Sequence, residues 1–323
     1  MTAKDFSIVF MGTPEFATHS LKVLHEAGIN IKAVITAPDK PAGRGQKLRE
    51  SDVKKYAVSQ GLKVLQPTNL KAEEFITDLA TLDADLFVVV AFRMLPEVVW
   101  GMPSKGTINL HASLLPQFRG AAPINWAIIN GQKETGVTTF FIEREIDTGK
   151  VIAQSKAVIG KNETVGELYN RLMNLGGDLL LKTVNDISED KAEGIPQAEL
   201  IKEELLEAPK IFKDDCRLDF DQPAEQVHNQ VRGLDPYPGA WCKLTEKETG
   251  KTKLFKLYAS AVSEMRVSGD GSMKSDSIGL LFPCSDYYIY IKEVQPEGKR
   301  RMKFKEFLAG NNIEDYQIES KKT

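Results

Sequence analysis

The sequence predicts an α/β chain: a doubly wound, mostly parallel sheet with helices on both faces, followed by a small β-barrel as a second domain. Three observations predict it. Strand-like and helix-like segments alternate through the first half, the signature of repeated βα units. Residues 86–92 are apolar without interruption, as in a strand buried on both faces of a parallel sheet. Beyond about residue 210, short strand-like runs separated by turns replace the alternation. A chain of 323 residues is also long for a single core.

The elements follow in order. Residues 7–11 form a short apolar strand ending at Gly12. Pro14 then opens a helix over 15–26, with Phe16, Leu21 and Leu24 at helical spacing and Gly28 as the stop. Strands are expected at 31–35, 63–65, 86–92 and 107–110, with helices over 52–60 and 72–82. Residues 137–142 and 151–158 read as an antiparallel pair joined by a polar turn. A long amphipathic helix covers 164–184, with Leu168, Leu172, Leu175, Leu179 and Leu180 on one stripe. Gly194, Pro196 and Pro209 then break up a charged stretch with little periodicity, which reads as a linker. The expected division is 1–188, a linker over 189–209, and 210–323. In the last part, strands fall at 241–244, 253–262, 278–282 and 287–294.

Composition excludes several classes. Apolar residues at 42% and charged residues at 27% fit a globular chain rather than a disordered one. The longest apolar run, 86–92, is far short of the roughly 20 residues that span a bilayer. Residues 1–5 lead directly into a strand without a signal-peptide pattern, so the cytoplasm is the expected compartment. Cys216, Cys242 and Cys284 lie far apart, and the four histidines are scattered. Neither a disulfide framework nor a metal site is expected. The net charge of −3 gives no sign of nucleic acid; local charge is more telling. Lys40, Arg44, Lys47 and Arg49 share one loop-like stretch. Lys299, Arg300, Arg301, Lys303 and Lys305 form a second basic cluster. Charge runs of this kind are more often solvated faces than phosphate sites.

The chemistry concentrates in residues 106–122. Gly12-Thr13-Pro14-Glu15 is not a dinucleotide fingerprint, no Walker pattern occurs, and a tight strand-to-helix turn explains Gly12 at least as well as a ligand role. Asn109 and His111, by contrast, are two apart on an extended chain, so their side chains share one side. An amide can donate to a developing oxyanion, and an imidazole can exchange a proton near neutral pH. An isolated Asn-x-His is still more often a packed histidine beside a turn residue. Asp147, in Ile146-Asp147-Thr148-Gly149, is the best candidate to set the imidazole's tautomer and charge. On its own it reads rather as a turn aspartate bonding its own backbone. His19, His25 and His228 read as surface or packing residues.

An ordered series of motifs resembles the methionyl-tRNA formyltransferase family over nearly the whole chain. It comprises residues 10–17, the loop 38–48, Asn109-x-His111-x-Ser113-Leu114-Leu115-Pro116, residues 119–124 and 135–138, Asp147-Thr148-Gly149, residues 235–241 and residues 295–299. The series is specific, although each short piece alone is not. The resemblance implies a Rossmann-like formyltransferase domain and an OB-like barrel that contacts tRNA. It implies Asn109, His111 and Asp147 as the catalytic set. Val90, Ala91 and Phe92, with Ser113, Leu114, Leu115 and Pro116, would line the site of the co-substrate 10-formyltetrahydrofolate. Pro41, Arg44, Gly45 and Lys47, with Lys299 and Arg300, would meet the initiator methionyl-tRNA. No metal and no membrane enter, and a monomer is implied.

The chain departs from the family pattern in two places. Ile142-Glu143-Arg144-Glu145-Ile146 stands where a glycine-containing Asp-Ala-Gly-Leu stretch is frequent, adding charge beside Asp147. Phe92 occupies a position where tyrosine is common. An amino-sugar formyltransferase, or the hydrolase domain of formyltetrahydrofolate dehydrogenase, would share the same trio; the Arg44 loop and the second domain disfavour both. A binding protein on a catalytically dead scaffold is the alternative outside enzymology. The intact trio counts against it.

Overall fold

The structure, a computed structural model, describes residues 6–42, 47–268 and 271–320. The chain forms two compact units. The first comprises Met1–Gly120, Gly136–Ala157 and Asn170–Glu207; the second comprises Ala121–Thr135, Val158–Tyr169 and Ala208–Thr323.

The first unit is built on a seven-stranded sheet. Its strands are β1 (Ser7–Gly12), β2 (Asn30–Ile35), β5 (Val64–Leu65), β6 (Leu86–Val90), β7 (Thr107–His111), β9 (Glu134–Phe141) and β10 (Val151–Val158). A small hairpin, β3 (Lys40–Ala42) and β4 (Lys47–Arg49), and a two-residue strand β8 (Arg119–Gly120) lie off it. The order across the sheet is β10-β9-β7-β6-β1-β2-β5. β5, β2, β1, β6 and β7 run parallel, and β9 is antiparallel to β7. The chain winds outward from β1 through β2 to β5, then returns to β6 and winds the other way. β1 and β6 therefore flank the switch point, the crevice where such sheets take ligands.

Helices α1 (Glu15–Glu26), α2 (Asp52–Ser59), α3 (Glu73–Ala80) and α4 (Glu97–Trp100) connect the parallel strands. α2 starts at Ser51, whose hydroxyl accepts from Lys54 N at 3.1 Å, an ordinary N-cap. Val9, Met11, Ile35, Phe87 and Val89 pack with Phe75, Leu79 and Val99 in one core layer. The long helix α6 (Val165–Ser188) lies against α1 and β7: a Cβ on Gly176 would stand 3.0 Å from Leu110 Cδ2. Leu168, Leu172, Leu179 and Leu180 of its stripe are buried, while Leu175 is half-buried. Gly12 is required by packing. A side chain there would reach within 2.5 Å of Ala17 Cβ and 2.9 Å of Val90 O.

Sequence and structure differ over residues 86–92. The strand stops at Val90, because Ala91 takes a left-handed conformation (φ 46°) and turns the chain out of the sheet. The loop expected around residues 40–49 holds the β3–β4 hairpin. Its base is tied by Asp39, which accepts from Lys54 Nζ and, at 2.8 Å, from Gln66 Nε2. Those hydrogen bonds, Lys54's first, hold the Asp39 carboxyl below its usual range.

The second unit carries an antiparallel curled sheet. Its strands run in the order Lys274–Ser275, Leu280–Pro283, Tyr287–Pro296, Thr252–Arg266, Ala240–Glu246, Tyr316–Ile318, with Met302–Lys303 paired to Tyr287–Pro296. This is a half-barrel around Trp241, Phe255, Leu257, Phe282, Ile289 and Phe307. Helices α5 (Pro123–Ile129) and α7 (Ala224–Gly233), neither predicted, pack together here. Asn125 Nδ2 donates to Gly233 O at 2.7 Å. The three cysteines are free and buried, and burial pushes the Cys284 thiol up to about 12. Among the described residues, no helix is long and apolar enough to cross a membrane.

Candidate active site

β7 lies in the middle of the first sheet, between β6 and β9. Its alternation sorts the side chains: Leu110 faces α6, so Asn109 and His111 project from the opposite face. Asn109 pairs in register with Val89 and Phe140, and is half-buried. Its amide makes no hydrogen bond among the described residues, which leaves both donors and the acceptor open to a ligand. His111 ends the strand at 6% exposure, edge-on to the Phe140 ring at 6.5 Å.

The bonds around His111 fix its tautomer. Nε2 lies 2.8 Å from Phe118 O, a backbone carbonyl that can only accept. Nε2 therefore carries a proton, and Nδ1 is the nitrogen left to exchange one. Phe118 is left-handed (φ 59°), and the loop is folded so that its carbonyl points back to the ring. Nδ1 faces Asp147 Oδ2 at 3.7 Å, too long for a hydrogen bond but within ion-pair range. The same Oδ2 accepts from Gly120 N at 3.0 Å. Asp147 is itself left-handed (φ 54°). Asn109, His111 and Asp147, chosen from the sequence, are thus brought to one face at the carboxyl edge of β7.

The loop after β7 is locked from within. Ser113 Oγ donates to Gln117 O at 2.6 Å, and Thr138 Oγ1 donates to Ser113 O at 2.6 Å. Leu115 N donates to Thr138 Oγ1 at 3.1 Å, and Gln154 Nε2 donates to Leu115 O at 2.8 Å. Ser113, Leu115 and Pro116 are buried, and Leu114 is half-buried against the bare Cα of Gly136. These four residues set the loop's shape. Val90 is buried, Ala91 exposed, and Phe92 half-buried in the apolar layer beneath Arg93, whose guanidinium lies 5.5 Å from the ring centre.

Glu143, Arg144 and Glu145, the unusual residues before Asp147, all point into solvent, where water screens their charge. Beyond them the structure adds a residue that the sequence reading passed over. Gln197 lies in the 189–209 stretch, on the short turn Gln197–Leu200, and is 3% exposed. It bonds Asp147 O, Gly149 O and Arg119. A glutamine in a Pro- and Gly-broken segment carries no local signal of this; only the fold reveals it.

Of the expected tRNA-facing residues, Arg44 and Gly45 lie outside the described residues. Pro41 and Lys47 belong to the two arms of the β3–β4 hairpin. In the second unit Lys299 is exposed. Arg300 pairs with Glu306, and Arg301 binds Asp235 and Glu293 while lying 4.0 Å over the Tyr258 ring. Among the described residues, no cluster of three or more His, Cys, Asp or Glu could hold a metal ion.

On this mostly parallel sheet, with an amide, an imidazole and a carboxylate toward the carboxyl edge of β7, the chain falls in the formyl transferase class. The formyl transferase family model matches residues 6–184, and the model for its C-terminal domain matches 210–312. Curated relatives make the assignment narrower. Methionyl-tRNA formyltransferase of Bacteroides fragilis is 49% identical, covering 97% of each chain. That of Parabacteroides distasonis is 49% identical, over 98% of this chain and all of the relative, and that of Porphyromonas gingivalis 47% identical, over 96% and 97%. The chain belongs to the methionyl-tRNA formyltransferase family. Solved structures share the fold. The sugar 3N-formyl transferase WlaRD, crystallised with dTDP and 5-N-formyl-THF, matches at TM-score 0.65 and 20% identity, over 91% of this chain and 99% of its own. HypX from Aquifex aeolicus, in complex with tetrahydrofolic acid, matches at 0.62 and 18%, over 93% of this chain and 46% of its own.

Proposed function

We propose that this chain transfers the formyl group of 10-formyltetrahydrofolate to the α-amine of methionyl initiator tRNA, with Asn109, His111 and Asp147 as the catalytic set. The observation that carries the reading is the geometry at His111, where Nε2 is occupied by Phe118 O while Nδ1 faces Asp147 at 3.7 Å. The methionyl amine, with an ordinary pKa of ~7.7–8.0, attacks the formyl carbon in its neutral form. A C–N bond forms, and the carbonyl electrons move onto oxygen. The open Asn109 amide donates to that oxyanion, and the His111 imidazolium, proton on Nδ1, stabilises it. The attacking nitrogen must then lose a proton and the folate nitrogen must gain one. Nδ1, with a water oriented by Asp147 Oδ2, relays it. The intermediate collapses by breaking the bond to the folate nitrogen, giving formylmethionyl-tRNA and tetrahydrofolate.

Support for tRNA as acceptor comes from relatives of that name along the whole chain, from the Arg44 loop and from the second unit. The folate crevice is assigned to the β1/β6 switch point beside Ala91 and Phe92. The catalytic part is assigned to 1–188 and the tRNA-binding part to 210–323, in a cytoplasmic monomer. One assay tests the reading. The enzyme is incubated with formyltetrahydrofolate and, separately, methionyl initiator tRNA, methionyl elongator tRNA or an amino sugar. Formyl transfer is expected to the initiator alone. Transfer to the sugar, or to none, overturns it.

A further inference from the structure

The loop that presents Asp147 is an unfavourable piece of backbone. Asp147 holds a positive φ of 54°, a left-handed conformation that few non-glycine residues adopt. Two residues on, Gly149 passes so close to the β9 edge that a Cβ would fall 1.7 Å from Phe141 O. Such a conformation persists only where its surroundings hold it.

We infer that Gln197 is the positioning residue that holds it. Its side-chain amide has two protons, and each meets a backbone carbonyl of the turn: Asp147 O at 2.8 Å and Gly149 O at 2.9 Å. Its oxygen accepts from the Arg119 guanidinium, Nη2 at 2.7 Å and Nε at 3.1 Å. Carbonyls only accept and a guanidinium only donates, so the orientation of the amide is settled by its partners. Arg119 precedes Gly120, whose N–H donates to Asp147 Oδ2. The contacts therefore close a ring. Gln197 grips the main chain of Asp147 and, through Arg119, the loop whose next amide grips the Asp147 side chain. Both coordinates that set the Nδ1–Oδ2 separation, the Asp147 backbone and its carboxylate, are tied to one buried amide.

Gln197 is itself anchored. Ile195 pairs with Val151 through two backbone bonds of 2.8 and 2.9 Å, and Leu200 packs on Leu115, Phe140 and Val151. The segment is thus pinned to β10 on one side and to the loop after β7 on the other. Gln197 touches no reacting atom in this arrangement; it acts through Asp147.

The inference rests on the proposed role of Asp147, and the experiment separates the two. Single-turnover formylation, KM for each substrate and the pH–rate profile are measured for Q197A, Q197E, D147N and Q197A/D147N. Q197E keeps the shape and the Arg119 contact but loses the donors, so it serves if Q197A folds poorly. Displacing a catalytic group by about an ångström costs on the order of 10- to 100-fold. That loss is expected in kcat for Q197A, with both KM values within twofold and the acidic limb of the profile shifted. The double variant should be no slower than D147N, because both changes act on one carboxylate. Folded Q197A and Q197E with near-normal kcat and profile overturn the inference, as does a double variant slower by the product of the single losses. Near-normal D147N would instead remove the role of Asp147, a separate result.

Discussion

The molecule buries two imidazoles, one in each unit, and they differ at a single nitrogen. His111 is 6% exposed and His228 is 3% exposed. Each gives Nε2 to a backbone carbonyl, Phe118 O at 2.8 Å and Lys161 O at 3.2 Å. The other nitrogen of His228 lies 2.8 Å from Ser260 Oγ. That ring is satisfied on both sides as a neutral group. Among the described residues, the other nitrogen of His111 meets only the Asp147 carboxylate, at 3.7 Å, beyond hydrogen-bond length. Burial alone therefore says little about chemistry. A histidine with both nitrogens paired belongs to the fold, and one with a nitrogen left toward a carboxylate is free to exchange a proton.

The largest effects should fall on the open side. Losing one oxyanion donor costs roughly 100- to 1000-fold in rate. His111→Ala and Asn109→Ala should each lower single-turnover formylation by about that factor. The unfolding transition of Asn109→Ala should stay close to the parent, because Asn109 gives up no internal bond, whereas His111→Ala should unfold earlier, because it empties a buried site and strips Phe118 O of its donor. A folded Asn109→Ala enzyme at near-normal rate would break the assignment of the amide. His228→Gln, the matching change in the other unit, should leave the saturated rate within twofold.

His228 should instead appear in stability. Burial first, with the Arg232 charge opposing the proton further, lowers its pKa to about 4 from an ordinary 6.5. The unfolded chain then takes up the proton at higher pH than the folded one, and stability falls as pH drops from about 6.5 to about 4. The limit is about 3 kcal/mol, from a gap of about 2.5 pH units. Denaturant titrations at pH 7.5, 6, 5 and 4.5 should show this loss in the parent. His228→Gln should be less stable at pH 7.5 but should lose less on acidification. Parallel curves for the two proteins would break the contrast between the histidines.

The fold and the trio were legible to different depths. β1 and β6 announce themselves by apolar runs, and in β7 a two-residue spacing suffices to place Asn109 and His111 on one side. The end of β6 was not legible, since nothing in the composition marks Ala91 as left-handed. α7 was missed because His228, Asn229 and Arg232 are buried in polar pairings that blur its apolar face. Arg232 Nε, for example, bonds Asn229 Oδ1 at 2.9 Å. Gln197 was out of reach for a simpler reason: it meets Arg119 across 78 residues, and neither residue type implies the other.

The smallest effects should come from the basic residues, and they sharpen the division between chemistry and binding. Each phosphate contact contributes roughly 0.7–0.9 to the slope of log K against log salt. Lys299 is exposed, whereas Arg300 already pairs with Glu306. Lys299→Ala should flatten the salt slope for charged tRNA by about one contact and raise its KM a few-fold. It should leave both the KM for formyltetrahydrofolate and the saturated rate unchanged. Arg300→Ala should do less, because the Glu306 partner already neutralises its charge. Arg44→Ala should likewise raise the KM for methionyl-tRNA more than that for folate. A fall in saturated rate for Lys299→Ala, or equal losses for both substrates in Arg44→Ala, would mean that these residues act on the chemical step, not on tRNA capture.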